Sequence, residues 1–446
     1  MTRYKIQEGM IKKGLLFIIF AVIVFLIAGC AAKSKVTIVA IDPGTPTPTA
    51  KAVEYGSFRE AMQNVDLNYL ETQDLNDQQK SFAEALRLIT LGNDLEAEQL
   101  LRKVCISATD TLLQNDAEII LSTLLFYQSR WEALLELDSL PDTPEENNNM
   151  LLPRAYRAVL PENYIFLSSS SRLPTTFTAS GVPTIEVEVN GKQKKFILDT
   201  GAGMSVVSDK LAQECQILPL VDQKAEAGTS TSRKVGIQPA VIEDLKIGNL
   251  SIKNHPVIII EQKDLQFKLL GLFTVMKIEG IIGWNAIQNL FVEIDYPNKI
   301  TIIQEPEMFD VPNRNFFLLG GYPIVRLRSE DGILLNFGLD TGARESWITE
   351  NLLKKINYKT ANSNTKKVGS AGGWEKIESK ILPELNLFLS EYQLTFKKIG
   401  TRPARLDEFV ELDGVLGGDV FENGKIRINY RNGIFDFVVP HLQLKR

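Results

Sequence analysis

Phe196-Ile197-Leu198-Asp199-Thr200-Gly201-Ala202 is matched, at an offset of 340 − 199 = 141, by Phe337-Gly338-Leu339-Asp340-Thr341-Gly342-Ala343. Each stretch is an apolar run that ends in Asp-Thr-Gly-Ala. Each also follows a hairpin signal. In the first copy Ile185 to Val189, Asn190-Gly191 and Lys195 to Leu198 form it. In the second it is Ile324 to Leu327, Asp331-Gly332 and Leu334 to Leu339. Asn-Gly and Asp-Gly between apolar runs predict tight hairpins, because both residues of such a turn need positive φ. The two turns keep the same offset, 331 − 190 = 141.

The copies continue downstream. Glu279-Gly280-Ile281-Ile282-Gly283 and Asp413-Gly414-Val415-Leu416-Gly417 stand at an offset of 417 − 283 = 134. That offset holds without a gap to Ile294-Asp295-Tyr296-Pro297-Asn298 and Ile428-Asn429-Tyr430-Arg431-Asn432. Between the motifs, Gly228-Thr229 answers to Gly369-Ser370 at the first offset. Short runs rich in Val, Ile and Phe, such as Val257–Ile260, Phe291–Ile294 and Ile300–Ile303, read as strands. The chain is thus expected to be mainly β from about residue 175, with one unit repeated.

Asp-Thr-Gly-Ala after an apolar strand, partnered by two apolar residues and Gly, resembles the signature of retropepsin-like aspartic proteases. The resemblance spans roughly residues 178–438. One Asp-Thr-Gly is a common turn sequence; two copies, each with its own apolar-apolar-Gly partner, are far more specific. The family implies two acid-protease lobes with Asp199 and Asp340 as the catalytic pair. It implies that Thr200 and Thr341 bond across a pseudo-twofold axis. Gly201, Ala202, Gly342 and Ala343 would bring backbone amides to the carboxylates, and Gly283 and Gly417 would close the apolar layer beneath. Flap hairpins are expected at 225–236 and 366–377, with Gly228, Thr229, Gly369 and Ser370 within them. Trp374 reads either as a cover over substrate or as a core residue. The implied partner is a peptide or protein substrate, held by one chain whose halves form an internal pseudo-dimer, hence a monomer.

The chemistry fits the motif. Two carboxylates held about 3 Å apart cannot both ionise, so they share one proton and titrate as a pair. The ionised member can take a proton from water while the protonated one donates to a carbonyl oxygen. No metal or cofactor is called for. The halves differ just after the motif, with Gly203-Met204 in one and Arg344-Glu345 in the other. Arg344 either points into the cleft, lowering the pair's pKa values, or sits on the surface beside Glu345. Either way the two aspartates are inequivalent.

The N-terminus reads as an address. Arg3, Lys5, Lys12 and Lys13 precede an uncharged apolar run from Leu15 to Ala28, short for a membrane span. It ends in Leu26-Ile27-Ala28-Gly29-Cys30, which resembles a bacterial lipobox. The resemblance implies lipidation at Cys30, anchorage to a membrane and residence in the bacterial cell envelope. The Pro/Thr alternation from Asp42 to Thr49 predicts an extended spacer over 31–54, able to reach at most about 80 Å.

Residues 55–165 read as a small α-helical domain. Phe82, Leu86 and Ile89, then Leu95, Leu100, Leu101 and Val104, recur at helical spacing around a turn at Gly92-Asn93-Asp94. A second pair, Ala117 to Tyr127 and Trp131 to Leu137, breaks near Ser129. Leu91 to Ala97 resembles the turn of a tetratricopeptide repeat, but the turn spacing, 129 − 92 = 37, differs from the repeat's 34. Both a repeat that binds a partner and a plain helical cap on the next domain fit. Asn147-Asn148-Asn149 reads as a loop and Ser168 to Ser171 as a linker. The expected organisation is a signal peptide (1–30), spacer (31–54), helical domain (55–165), lobe 1 (175–305) and lobe 2 (306–446).

Composition narrows the chemistry. The 446 residues carry 49 basic and 55 acidic side chains, a formal charge of −6. No basic excess is present to neutralise phosphates, so nucleic acid is not expected as a partner. Two histidines, His255 and His441, and three cysteines, Cys30, Cys105 and Cys215, do not make a Cys/His zinc site. They support a Ser–His–Asp triad poorly. Hydrolytic chemistry falls to carboxylates, giving a membrane-anchored aspartic endopeptidase. A catalytically inactive peptide-binding lipoprotein of the same fold is the alternative.

Overall fold

The computed structural model describes residues 35–42, 51–137, 144–229, 233–269, 273–307, 314–356, 358, 362–402 and 409–442. The expectations for the signal segment and for Cys30 lie outside these residues. Among the described residues no helix is long and apolar enough to cross a membrane.

A first strand, β1 (Lys35–Ala40), precedes seven helices. These are α1 (Phe58–Gln63), α2 (Leu67–Glu71), α3 (Asp77–Leu91), α4 (Asp94–Ser107), α5 (Thr111–Tyr127), α6 (Trp131–Leu135) and α7 (Pro144–Tyr156). Then come β2 (Asn163–Phe166), β3 (Ser170–Pro174), β4 (Thr176–Phe177), β5 (Pro183–Val189) and β6 (Lys192–Leu198). Lobe 1 continues with β7 (Ser205–Ser208), β8 (Ala225–Gly228), β9 (Lys234–Ile247) and β10 (Leu250–Ile260). A short hairpin, β11 (Gln266–Leu269) and β12 (Phe273–Lys277), leads into β13 (Gly280–Ile282), β14 (Phe291–Asp295) and β15 (Ile300–Gln304). Lobe 2 repeats the series as β16 (Phe316–Leu319), β17 (Tyr322–Ser329), β18 (Leu334–Leu339), β19 (Trp347–Thr349) and β20 (Asn362–Ser370). It ends with β21 (Gly373–Leu389), β22 (Tyr392–Arg402), β23 (Gly414–Leu416), β24 (Lys425–Asn429) and β25 (Ile434–Val438).

The fold is mainly β, in two lobes consistent with the retropepsin-like expectation. Lobe 1 is a nine-stranded sheet in the order β2-β10-β7-β13-β6-β5-β9-β8, with β4 beside β5. Lobe 2 is β1-β22-β19-β23-β18-β17-β21-β20, with β16 beside β17. The orders agree strand for strand. The hairpin β11–β12 lies in the lobe 1 insertion that shortens the repeat offset from 141 to 134. At the centre of each sheet a three-residue strand, Gly-Ile-Ile in β13 or Gly-Val-Leu in β23, is buried throughout. Such strands carry apolar residues without alternation because both faces are covered. A five-stranded sheet, β25-β24-β14-β15-β3, joins the lobes.

Several expectations need correction here. The spacer does not fill 31–54: Lys35 to Ala40 is a strand, paired antiparallel with β22 of lobe 2 from Lys35↔Lys397 to Ala40↔Tyr392. Its alternating Val36, Ile38 and Ala40 are half-buried against the lobe 2 core. The nearby Pro/Thr run outweighed this period-two pattern in the sequence reading. The helical domain does not extend to 165, since β2 forms the outer strand of lobe 1, paired with β10. Ser170 and Ser171 are not linker but part of β3, paired with β15. Asn147 to Asn149 lie inside helix α7.

The helices form a bridge rather than a detached unit. Gly92 (φ 77°) caps α3 in the left-handed conformation, and Ser129 (φ 55°) makes the turn between α5 and α6. On lobe 2, Asn336 Nδ2 donates to Asn64 O (2.6 Å) and Asn351 Nδ2 to Asn64 Oδ1 (2.8 Å). On lobe 1, Tyr156 Oη donates to Val257 O (2.6 Å) and Gln288 Nε2 to Tyr127 O (2.7 Å). The chain thus leaves the edge of lobe 2 at β1, crosses both lobes as helices, and enters the edge of lobe 1 at β2. Cys105 and Cys215 are free thiols.

Candidate active site

The two Asp-Thr-Gly turns are positioned by the central strands. Asp199 follows β6 and its amide donates to Ile282 O of β13 (3.1 Å). Asp340 follows β18 and its amide donates to Leu416 O of β23 at the same distance. The parallel pairings Leu198↔Ile282 and Leu339↔Leu416 set the heights of both turns. Each apolar-apolar-Gly segment therefore serves as the floor of its own turn. Gly283 and Gly417 leave no room for a side chain: a Cβ on Gly417 would stand 2.8 Å from Glu345 C, and one on Gly283 would meet the Met204 carbonyl.

The turns are locked to each other. Thr200 Oγ1 donates to Leu339 O (2.7 Å) and accepts from Thr341 N (3.0 Å). Thr341 Oγ1 donates to Leu198 O (2.8 Å) and accepts from Thr200 N (3.0 Å). All four bonds are buried and cross from one lobe to the other. They bring the glycines face to face with the opposite aspartate. A Cβ on Gly201 would stand 2.7 Å from Asp340 Cγ, and one on Gly342 2.5 Å from Asp199 Cγ.

Asp199 Oδ1 accepts from Gly201 N (2.9 Å) and Ala202 N (3.2 Å), and Asp340 Oδ1 accepts from Ala343 N (2.8 Å). Among the described residues, neither Oδ2 has a hydrogen-bond partner of ordinary geometry. Both side chains are buried, Asp199 fully and Asp340 to 3 % exposure. Burial pushes the Asp199 pKa well above the ordinary carboxylate range, and the Asp340 charge adds to the rise. Burial also raises Asp340, against the opposing pull of the Ala343 and Gly342 amides and the Arg402 guanidinium. The pair thus has the attributes a shared-proton site requires: low dielectric, proximity, and one oxygen of each group held by amides while the other is buried without an amide partner.

A second pair of networks, missed in the sequence reading, braces the turns from behind. Asn285 Oδ1 accepts from Ser205 N (2.8 Å) and bonds Ser205 Oγ (3.0 Å); Ser205 Oγ accepts from Gly283 N (3.0 Å). In lobe 2, Asp419 Oδ1 accepts from Ser346 N (2.7 Å) and Oγ (2.6 Å), and Ser346 Oγ accepts from Gly417 N (3.0 Å). Ser346 and Asp419 sit at the repeat offsets 141 and 134 from Ser205 and Asn285, which was the available signal. His255 Nε2 also reaches Ser205 Oγ (2.8 Å), while its Nδ1 reaches Glu162 Oε1 (2.6 Å). Sequence distance hid this Ser–His–Glu chain. Ser205 and His255 are wholly buried and engaged, so the chain is a brace and not a nucleophile.

Both flap segments are hairpins, β8–β9 and β20–β21. Thr229 Oγ1 donates to Arg233 O (2.9 Å), and Ser370 pairs with Gly373 across its own hairpin. Gly228 ends β8 opposite Lys234, and Gly369, one residue before the end of β20, stands opposite Trp374. The Trp374 side chain lies outside the described residues. The hairpins touch: Arg233 Nη1 donates to Gly372 O (2.8 Å), and Gly372 N donates to Asp264 O (2.9 Å). Val368 of β20 packs on Ala343 of the lobe 2 turn, beside Trp347. Glu345, placed on the surface in one reading of the sequence, is buried at 4 % exposure; Arg344 is half-buried. Among the described residues, no group of three His, Cys, Asp or Glu side chains is arranged to hold a metal ion.

Residues 185–275 match the family model described as "gag-polyprotein putative aspartyl protease". The matched span contains the first Asp-Thr-Gly-Ala and the first flap hairpin. It supports a retropepsin-like aspartyl protease domain, and the second lobe repeats the same strand order. No curated protein matches the chain.

Proposed function

We propose that the protein is an aspartic endopeptidase in which Asp199 and Asp340 together activate a water molecule. The observation that carries this reading is the reciprocal arrangement of the two turns: four interlobe threonine bonds hold two buried carboxylates against each other. In the forward step the ionised carboxylate takes one proton from water. The water oxygen forms a bond to the scissile carbonyl carbon, and the carbonyl π pair moves to its oxygen, which takes the proton from the other carboxyl group. Collapse of that intermediate breaks the C–N bond. The nitrogen takes a proton from the dyad and leaves as an amine, while one hydroxyl of the intermediate returns its proton to the dyad as the C=O re-forms, so the acyl part leaves as a carboxylic acid and the singly protonated dyad is restored. An extended peptide, paired as an added strand under the two hairpins, is the substrate form of this proposal.

The same proposal places the protein as a monomer in the bacterial cell envelope, anchored by lipid on Cys30, with peptide or protein as its partner. Two or more acyl chains give durable attachment, at about 0.8 kcal/mol per buried methylene. Residues 31–446, purified, should cut a mixed peptide library, and mass spectrometry should locate the cut bonds. Asp199→Asn and Asp340→Asn should each abolish cutting with the fold intact. Cutting that persists in both variants refutes the shared-carboxylate mechanism. For the anchor, Cys30→Ser should release the protein from the membrane fraction; continued attachment refutes lipidation there.

A further inference from the structure

The two halves of the site differ most at one buried cation. Arg402 ends β22 and is 7 % exposed, with its guanidinium carbon 4.8 Å from the centre of the Trp347 ring. Thr349↔Arg402 is the register of β19 on β22, and Ser208↔Ile260 is that of β7 on β10. Thr349 and Ser208 are related by the repeat offset, 349 − 208 = 141, so Ile260 is the lobe 1 counterpart of Arg402. By the same offset Met204 is the counterpart of Glu345. Lobe 2 therefore carries a buried Arg and Glu where lobe 1 carries Ile and Met.

The geometry points to Arg402 as the residue that makes the two aspartates unequal, holding Asp340 as the ionised member and leaving Asp199 as the proton carrier. This rests on the aspartic-dyad reading and deepens it. Arg402 stands on the strand beside β19, and Trp347 of β19 packs on Ala343, three residues beyond Asp340. A cation desolvated on one side of a coupled pair favours charge on the nearer member. Both acids that act on Arg402, Asp340 and Glu345, oppose the fall in its pKa that burial causes.

The other groups around the pair do not cancel this bias. Asp199 faces Asp340 from the lobe 1 turn. Tyr296 of the interlobe segment feels the Asp340 charge, and burial pushes its hydroxyl up, so it stays neutral. Glu345 shares Arg402 and would, alone, disfavour charge on Asp340. Met204 and Ile260 leave the Asp199 side without an equivalent cation. In the hydrolytic step Asp340 thus takes the proton from water, and Asp199 gives its proton to the carbonyl oxygen. Arg402 touches neither reactant and acts through Asp340 as a positioning residue.

The test is a carbon-13 NMR titration of the full chain with labelled aspartate carboxyl groups. The Asp199→Asn and Asp340→Asn variants assign the two signals by their loss. We expect the Asp340 signal to move at the first step and the Asp199 signal at the second. Arg402→Met should raise the first step by about one unit, a tenfold change in the proton equilibrium, whereas Arg402→Lys should largely preserve it. The acid limb of kcat/KM should move with it. If Arg402→Met does not fold, Arg402→Met with Glu345→Gln removes both buried charges and should still raise the step. A first step on Asp199, or no movement on loss of Arg402, overturns the proposal. The titration reads ionisation without turnover, so a chain that titrates in this order yet cuts no peptide would sink the peptidase reading alone.

Discussion

Glu293 and Arg427 hold the same position in the two halves, at the offset 427 − 293 = 134, and face each other across the β14–β24 ladder. Arg427 Nε donates to Glu293 Oε2 (2.7 Å), and Lys425 Nζ donates to Oε1 (2.9 Å). The pseudo-twofold axis passes between them. In a dimer of identical chains the residue at this point meets its own copy, so a charge would meet its like. Fusion into one chain allows the two copies to carry opposite charges.

That pairing should be measurable. Arg427→Glu sets two carboxylates opposite each other and should lower stability by more than Arg427→Ala. The alanine change should cost about 1 kcal/mol, since Arg427 is partly solvated. The exchange Glu293→Arg with Arg427→Glu should recover part of the loss. Urea unfolding midpoints for the wild type, Glu293→Arg, Arg427→Glu and the exchange close the cycle, with Arg427→Ala measured beside them; equal losses for Ala and Glu would dismiss the interaction.

The dyad should weaken the fold at neutral pH. Both carboxyl pKa values are raised by burial, so the folded state binds more protons than the unfolded chain between the ordinary carboxylate range and the raised values. Stability then falls as pH rises through that window. Asp199→Asn should raise the unfolding free energy at pH 7, and the melting temperature with it. The gain should vanish near pH 3, where both carboxyl groups are protonated. A gain that persists unchanged at low pH would contradict the linkage.

The threonine lock separates shape from chemistry. Thr200→Val keeps the volume but leaves Leu339 O and Thr341 N without their partners. The expected loss is about 2–6 kcal/mol, from two buried groups at roughly 1–3 kcal/mol each. Peptide cutting should fall yet stay above that of either Asp→Asn variant. Denaturant unfolding and initial rates check the two halves of this statement; a variant as inactive as Asp199→Asn would assign the hydroxyl a direct part.

The N-terminal third is expected to be indispensable. A chain starting at residue 175 lacks β1, β2 and β3, hence the outer strand of each lobe and one strand of the joining sheet. It should fail to give a cooperative thermal transition by circular dichroism. A native-like melt from that fragment would show that the lobes stand without those strands.

The duplication was legible because it sits in residue types that tolerate little change: Gly beside a carboxylate, Asp at the turn, branched residues in strands covered on both faces. Thr200 and Thr341 were legible for the same reason. Arg402 was not. It belongs to no motif, and its partner positions arise from strand register, which a single sequence does not display. The braces at Ser205 and Ser346 could have been found by extending the offsets of 141 and 134. β1 and β2 were misassigned because each is short and lies far in sequence from the strand it joins. The Asn147–Asn149 run failed on propensity, since packing holds a helix through it.

The pairing of β1 with β22 also bears on how the protein is made. Lys35 leaves the ribosome well before its partner Lys397, at a separation of 397 − 35 = 362 along the chain. At about 5–20 residues per second that is a delay of roughly 20–70 s. The helices contain their own local contacts and can form in the interval, but the second lobe cannot close until translation is nearly complete. A nascent chain cut short just before β22 would carry the sheet of the first lobe and a second one still lacking β22 and its central strand β23.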